Sequence, residues 1–466
     1  MTSLMVALGA LIFLMLAAYR GFSVIIAAPL AAIAAILLTE PSAVPAVFSG
    51  LFMDKMVGFL KLYLPVFLLG AIFGKLVEIS GFARSIVSGL VTLVGADRAM
   101  LAVVLVSTLM TYGGVSLFVA VFAVYPFAAE MFRRADIPKR LIPATIGLGA
   151  FSFTMDSLPG SPQIQNIIPT TFFGTTAWAA PILGLVGALF TFASGMAYLE
   201  WARKRAKSRD EGYGEGHSNE PAPAPEALTA AAHPLVALIP LALVGLSNLA
   251  LTHAIPLLYP PTLTTSLPGL PAPLTTNLQA VTAIWAVEGA LAVGILSLFL
   301  LSFRTVVREV GVGTKAAVAG ALLAAVNTAS EYGFGAVIAA LPGFLVVRDA
   351  LSAVPNPLIN EAVSITALAG ITGSASGGMS IALAALSEQF IAAAHGAGIP
   401  LEVLHRVASM ASGGMDTLPH NGAVITVLAV TGLTHKQSYG PIFAITAIKT
   451  AAVFVVIATY YLTGIV

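Results

Sequence analysis

Two aspartates sit in nearly the same five-residue phrase, Met155-Asp156-Ser157-Leu158-Pro159 and Met415-Asp416-Thr417-Leu418-Pro419, each inside a long apolar stretch. An ionised carboxylate in such surroundings costs at least about 2.5 kcal/mol, so it is expected to face a polar cavity and to bind a cation or carry a proton. Proline within a helix removes a backbone hydrogen bond and clashes with the preceding turn. After Asp156 the chain runs Pro159-Gly160-Ser161-Pro162-Gln163, which predicts a broken helix with freed carbonyl and N–H groups beside the carboxylate. Half-helix N-termini attract anions and C-termini attract cations. Ser157, Ser161, Gln163 and Gln165 can then complete a site for a carboxylate or hydroxy acid, and the second break supplies Thr417, His420 and Asn421. The freed carbonyls beside Asp156 and Asp416 would also suit Na⁺.

Other polar groups join these. Gly113-Gly114-Val115-Ser116 and Gly377-Gly378-Met379-Ser380 each split an apolar stretch, and the glycines permit close approach of a ligand or another backbone. Gly114, Ser116, Gly378 and Ser380 are accordingly candidate site residues. Asn327 and Glu331 stand in a polar patch of an otherwise apolar span, and Glu288 and Glu78 are further carboxylates within spans. Lys75, three residues before Glu78, reads as a structural ion pair on one helix face. His420 reads equally well as a helix cap, while His405, His435 and the basic cluster at 203–209 read as solvated residues of the membrane faces. Glycine pairs and prolines also serve packing alone; the duplication is what favours a binding role.

The elements that must carry these groups are spans. Hydrophobic residues make up 58% of 466 positions and charged residues 9%, with a mean hydropathy of +0.95; a soluble domain has roughly 25% charged residues. A membrane helix needs about 20 apolar residues, and ten such windows are found, those at 139–170 and 402–431 interrupted. Stretches 99–132 and 362–396 read as re-entrant hairpins, tolerated only where protein or a watery cavity covers their backbone. The expected fold is therefore an all-α polytopic membrane protein. The first repeat spans 1–202, a flexible cytoplasmic linker 203–231, and the second repeat 232–466. Three matches recur in order between the halves, at offsets of 264 (Gly113 to Gly377), 262 (Pro138 to Pro400) and 260 (Asp156 to Asp416). Five crossings per half would invert the second repeat against the first, the plan of secondary transporters. Of 22 Lys and Arg, Lys75 and Lys449 fall inside spans, Lys55, Lys61, Arg348 and Arg406 on one face and sixteen on the other. The richer face is cytoplasmic by the positive-inside rule, leaving both termini outside an inner membrane. No cysteine is present, which excludes disulfides and thiolate chemistry. A net charge of +1 with cations at helix ends gives no nucleic-acid footprint, and no cofactor is implied.

Leu69-Gly-Ala-Ile-Phe-Gly-Lys-Leu-Val-Glu-Ile-Ser-Gly81 resembles the third-span segment of gluconate permease (GntP-type) transporters. Thr111-Tyr-Gly-Gly-Val-Ser116 and Ser412-Gly-Gly-Met-Asp-Thr-Leu-Pro-His-Asn-Gly422 resemble a branch associated with hydroxybutyrate-type substrates. The resemblance covers nearly the whole chain outside the linker and the 255–277 loop. It implies the ion-transporter superfamily: homodimeric elevators, a scaffold and a moving transport domain with two hairpins, and proton coupling. It also implies that both hairpin tips and both breaks face one shared site. Asp-Ser-Leu-Pro-Gly-Ser-Pro-Gln stands where gluconate permeases proper have a Pro-Pro-His-Pro-Gly-Pro-like break, which favours 3-hydroxybutyrate over gluconate. A citrate or dicarboxylate symporter is the runner-up. An intramembrane aspartyl protease, with Asp156 and Asp416 as a dyad, and a passive channel are the remote alternatives.

Overall fold

The computed structural model describes residues 2–20, 22–95, 98–115, 117–221, 232–269, 271–346, 354–419 and 421–466. Nearly all of it is helix. Among the described residues seven helices are long and apolar enough to cross a membrane. The first half contains α1 (Thr2–Tyr19), α2 (Val24–Thr39), α3 (Met53–Ile79) and α4 (Phe82–Val94). It continues through α5 (Ala99–Tyr112), α6 (Leu117–Arg134), α7 (Ile142–Ala150), the single turn α8 (Phe153–Asp156), α9 (Ile164–Phe173) and α10 (Pro181–Lys207). The second half contains α11 (Pro234–Leu258), α12 (Leu278–Leu301) and α13 (Phe303–Ala340), then α14 (Pro357–Thr372), α15 (Ala375–Gly396), α16 (Leu401–Ser412), α17 (Gly422–Thr431) and α18 (His435–Thr463). Two features carry no apolar-span signal: the short helix α4, and an antiparallel pair, β1 (Thr262–Thr265) with β2 (Leu274–Asn277), in the proline-rich loop.

One succession occurs twice: a helical hairpin, a broken helix, then one long helix. In the first half it is α5–α6, α7–α9 and α10; in the second it is α14–α15, α16–α17 and α18. Both broken helices start at an Ile-Pro pair, with Pro138 and Pro400 in extended conformation capping the helices that follow. The first hairpin turns at Gly113-Gly114, where Gly114 has φ +94°, and the second at Gly373-Ser374, where Gly373 has φ +65°. Gly377-Gly378 is therefore not a tip. It lies in the first turn of α15, with Gly378 against the backbone of Ala369 and Gly377 against the Glu331 carboxylate. The tips correspond at an offset of 260, the same as that of the aspartates.

The helices pack in two groups. Helices α2, α3, α11, α12 and α13 lie mainly against one another, with α3 along α13 as the most extensive contact of the molecule. The hairpins, broken helices, α10 and α18 form the other group, in which α9 packs on α16 and α7 on α18. Every residue of α7 is buried, as is α16 from Val403 to Ser412, so the two broken helices form the innermost layer. Large apolar side chains such as Leu185, Leu189, Leu246 and Leu300 face outward, as a lipid-solvated bundle requires.

Candidate functional site

The first break is held open by its own small polar side chains. Ser152 donates to Leu148 O (2.5 Å) and Thr154 to Gly149 O (2.7 Å). Ser161 donates to Thr154 O (2.7 Å), and Asn166 Nδ2 reaches Ser161 O (3.0 Å) and Ala177 O (2.8 Å). Carbonyls freed by the break are thus satisfied within the protein, the condition for irregular backbone at membrane depth. Each break is also tied by an amide to its own hairpin tip. Gln163 Nε2 donates to Thr111 O (2.7 Å), and Asn421 Nδ2 donates to Gly373 O (2.7 Å). Asn421 Oδ1 additionally caps α17 by accepting from the N–H groups of Ala423 and Val424.

The charged groups meet where the breaks cross. Asp416 Oδ1 lies 2.5 Å from Lys449 Nζ, and that ammonium also donates to Phe151 O at 3.2 Å. Asp156 Oδ1 accepts from the Ser157 hydroxyl at 2.6 Å, and Lys449, Asp416 and Arg406 are the charges that act on it. Arg406 belongs in this interior rather than on a membrane face. It is fully buried, and its guanidinium donates to Asp156 O (3.0 Å), Asn166 Oδ1 (3.1 Å) and Ala179 O (2.7 Å). His405 is likewise buried, between Thr175 Oγ1 (2.6 Å) and Asn166 Oδ1 (3.3 Å), not solvated. One further carboxylate within the fold, Glu361, is fully buried and has no partner for either oxygen among the described residues.

A cavity of 1040 Å³ opens beside this centre. Four helices begin on its wall: α6 at Leu117, α9 at Ile164, α15 at Ala375 and α17 at Gly422. Of the expected residues it brings together Gly114, Gln163, Gln165, Asn327, Glu331, Asp416, Thr417 and Asn421, to which the structure adds Thr328, Ser374 and Ser376. Asp156, Ser157 and Ser161 are buried behind the wall, and Gly378 and Ser380 are packed inside α15. Ser116 and His420 lie outside the described residues. Glu331 receives a hydrogen bond from Ser374 at the second hairpin tip, and Thr328 Oγ1 is 3.2 Å from Ser376 Oγ. Lys75 also lines the cavity, paired with Glu78 at 2.7 Å.

A helical bundle, apolar outside and built around a cavity lined by broken helices, is a multi-pass membrane protein. Its relatives assign the class of membrane transporter. Over 471 residues, 99% of this chain and 100% of its relative, it is 58% identical to the uncharacterized transporter YxjC of Bacillus subtilis (strain 168), and it belongs to that transporter family. An uncharacterized transporter of Haemophilus influenzae is 33% identical over 180 residues, 37% of this chain and 40% of the relative. The crystal structure of the YdaH transporter from Alcanivorax borkumensis superposes at a TM-score of 0.49 and 15% identity, covering 88% of each chain. No protein-family model matches. The chain is thus a transporter and not an enzyme. The protease reading falls with this, and its two aspartates are engaged by Ser157 and by Lys449 rather than by each other.

Proposed function

We propose that this transporter carries a small monoanionic hydroxycarboxylate, 3-hydroxybutyrate-like before gluconate-like, in symport with H⁺ or Na⁺. The observation that carries this reading is the set of four helix N-termini opening on one cavity. Each directs the positive end of a helix dipole at the cavity, so the wall attracts a carboxylate without a dedicated cation, although side-chain caps, Ser374 at α15 and Asn421 at α17, already take some of the first-turn N–H groups. The volume lies at the upper end of the roughly 300–1,000 Å³ of small-molecule sites. Hydroxyls of Thr328, Ser374 and Ser376 and the amides of Asn327 and Gln165 supply partners for a hydroxyl group. Among the described residues the one cation on the wall, Lys75, is already paired, which disfavours citrate and other multiply charged acids.

On this reading the second half is inverted relative to the first. Helices α3 and α13 belong to a scaffold that stays fixed, and the hairpins with the broken helices form the unit that shuttles the substrate, in a homodimer of the inner membrane. The resemblance to gluconate permeases supports the elevator and favours the proton. The test is uptake competition in proteoliposomes among 3-hydroxybutyrate, gluconate, lactate and citrate under imposed proton or sodium gradients. Saturable uptake with 3-hydroxybutyrate as the strongest competitor is expected; uptake competed best by citrate, or by none of the four, would overturn the substrate class.

A further inference from the structure

We infer that Lys449 is a tethered cation occupying the position that a coupling Na⁺ would take at the second break, so that no metal ion enters there in the native protein. The inference deepens the reading of the breaks as the coupling site. A carboxylate beside the carbonyl that ends a half-helix is a donor set that suits Na⁺, and the structure fills it from within. Lys449 Nζ lies between a carboxylate oxygen, Asp416 Oδ1 at 2.5 Å, and the carbonyl of Phe151 at 3.2 Å. Phe151 caps the C-terminus of α7, so its carbonyl belongs to the negative end of a half-helix, where cations are favoured.

Two further observations support exclusion of a free ion. On the side of Lys449 walled by Phe151, Thr417 and Ile445 the space holds only 10 Å³, about the least that one water requires, while Asp416 faces the large cavity. A cation arriving from that cavity meets a carboxylate oxygen already taken by the ammonium, and replaces it only if the ammonium leaves. The charges are also already balanced: Asp156 and Asp416 face Arg406 and Lys449. The cation is peculiar to this break, since α10, which follows the first break as α18 follows the second, has no Lys or Arg before Arg203.

The test compares thermal unfolding of the purified full-length protein in NaCl and in choline chloride at equal ionic strength. A ligand that binds only the folded state raises the melting temperature in proportion to the logarithm of its concentration above Kd. Wild type is expected to melt at the same temperature in both salts. Lys449→Ala is expected to melt lower in choline and to gain several degrees in Na⁺, growing with the logarithm of its concentration; adding Asp416→Asn should abolish that gain. If Lys449→Ala does not fold in choline, Lys449→Met, which refills the volume of the stem, carries the same titration. Na⁺ stabilisation of wild type that grows with the logarithm of its concentration, or variants that gain nothing over choline, would overturn the inference. The readout requires no substrate, so a failure of uptake in vesicles counts against the proposed function alone, whereas Na⁺-driven uptake by wild type counts against this inference alone.

Discussion

Asp416 and Lys449 are buried partners, and breaking such a pair from one side leaves an uncompensated charge that costs about 3–5 kcal/mol. Asp416→Asn is therefore expected to lower stability by that order, because Lys449 keeps its charge with only neutral acceptors, Phe151 O and the new amide oxygen. Asp416→Asn combined with Lys449→Met should recover most of the loss, since neighbours in one ion pair do not add independently. Neither variant should transport. Thermal unfolding and uptake of the two, side by side, check this; equal stability of the single and double variants would remove the pair from the account. The two aspartates were legible in the sequence because the same phrase occurs twice. Arg406 was not, because an arginine four residues after Glu402 and close to Pro400 has the pattern of a membrane-face residue. The carbonyls of Asp156 and Ala179 and the amide oxygen of Asn166, distant in the chain, give it an interior place. Ser157 and Ser161 have the residue types of ligands, yet one hydroxyl is bonded to Asp156 and the other to Thr154 O.

Among the elements, the spans and both breaks follow from hydropathy and proline placement, while the register of the second hairpin does not. Matching one glycine pair to the other displaces the tip by one helical turn, because Gly377 and Gly378 are required for close packing in α15 rather than for a turn. The segment after α10 also departs from its expectation as a flexible linker. Over 208–221 it is strapped to the base of the first hairpin and to the end of α17. Glu211 pairs with Arg140 (2.5 Å), Glu220 with Lys139 (2.6 Å) and Arg133 (2.5 Å), and Ser218 and Asn219 donate to Gly432 O and Val430 O. The Arg140 hydrogen bond holds the Glu211 carboxyl below its usual range. For Glu220, burial pushes upward, but hydrogen bonds from Lys139, Arg133 and Tyr213 outweigh it and the result is also a lowered value. A depressed carboxyl contributes stability above its unfolded value, and that contribution is lost as pH falls through the folded value. The strap is therefore expected to stay protected at neutral pH and to open below the ordinary glutamate range, about pH 4. Amide exchange of 208–221, corrected for its intrinsic pH dependence, measures this; protection unchanged on acidification would contradict it.

At the scale of the whole molecule, the packing of Arg406 bears on electrical work. Its charge is met by carbonyls and an amide rather than by a carboxylate of its own, so any unit that includes α16 takes that charge along. With Lys449 also aboard, the pair offsets Asp156 and Asp416 when both are ionised. A monoanion entering together with one proton leaves that balance unchanged. Moving one uncompensated charge through 100 mV involves about 2.3 kcal/mol, and a unit balanced in this way avoids it. Uptake into vesicles clamped at different potentials with a potassium ionophore should accordingly be independent of voltage at fixed pH gradient, and a steep voltage dependence would mean that the crossing unit carries net charge. On the proposed symport of a monoanion with one proton, the membrane potential then does no work on the loaded carrier, and accumulation is set by the chemical gradients alone.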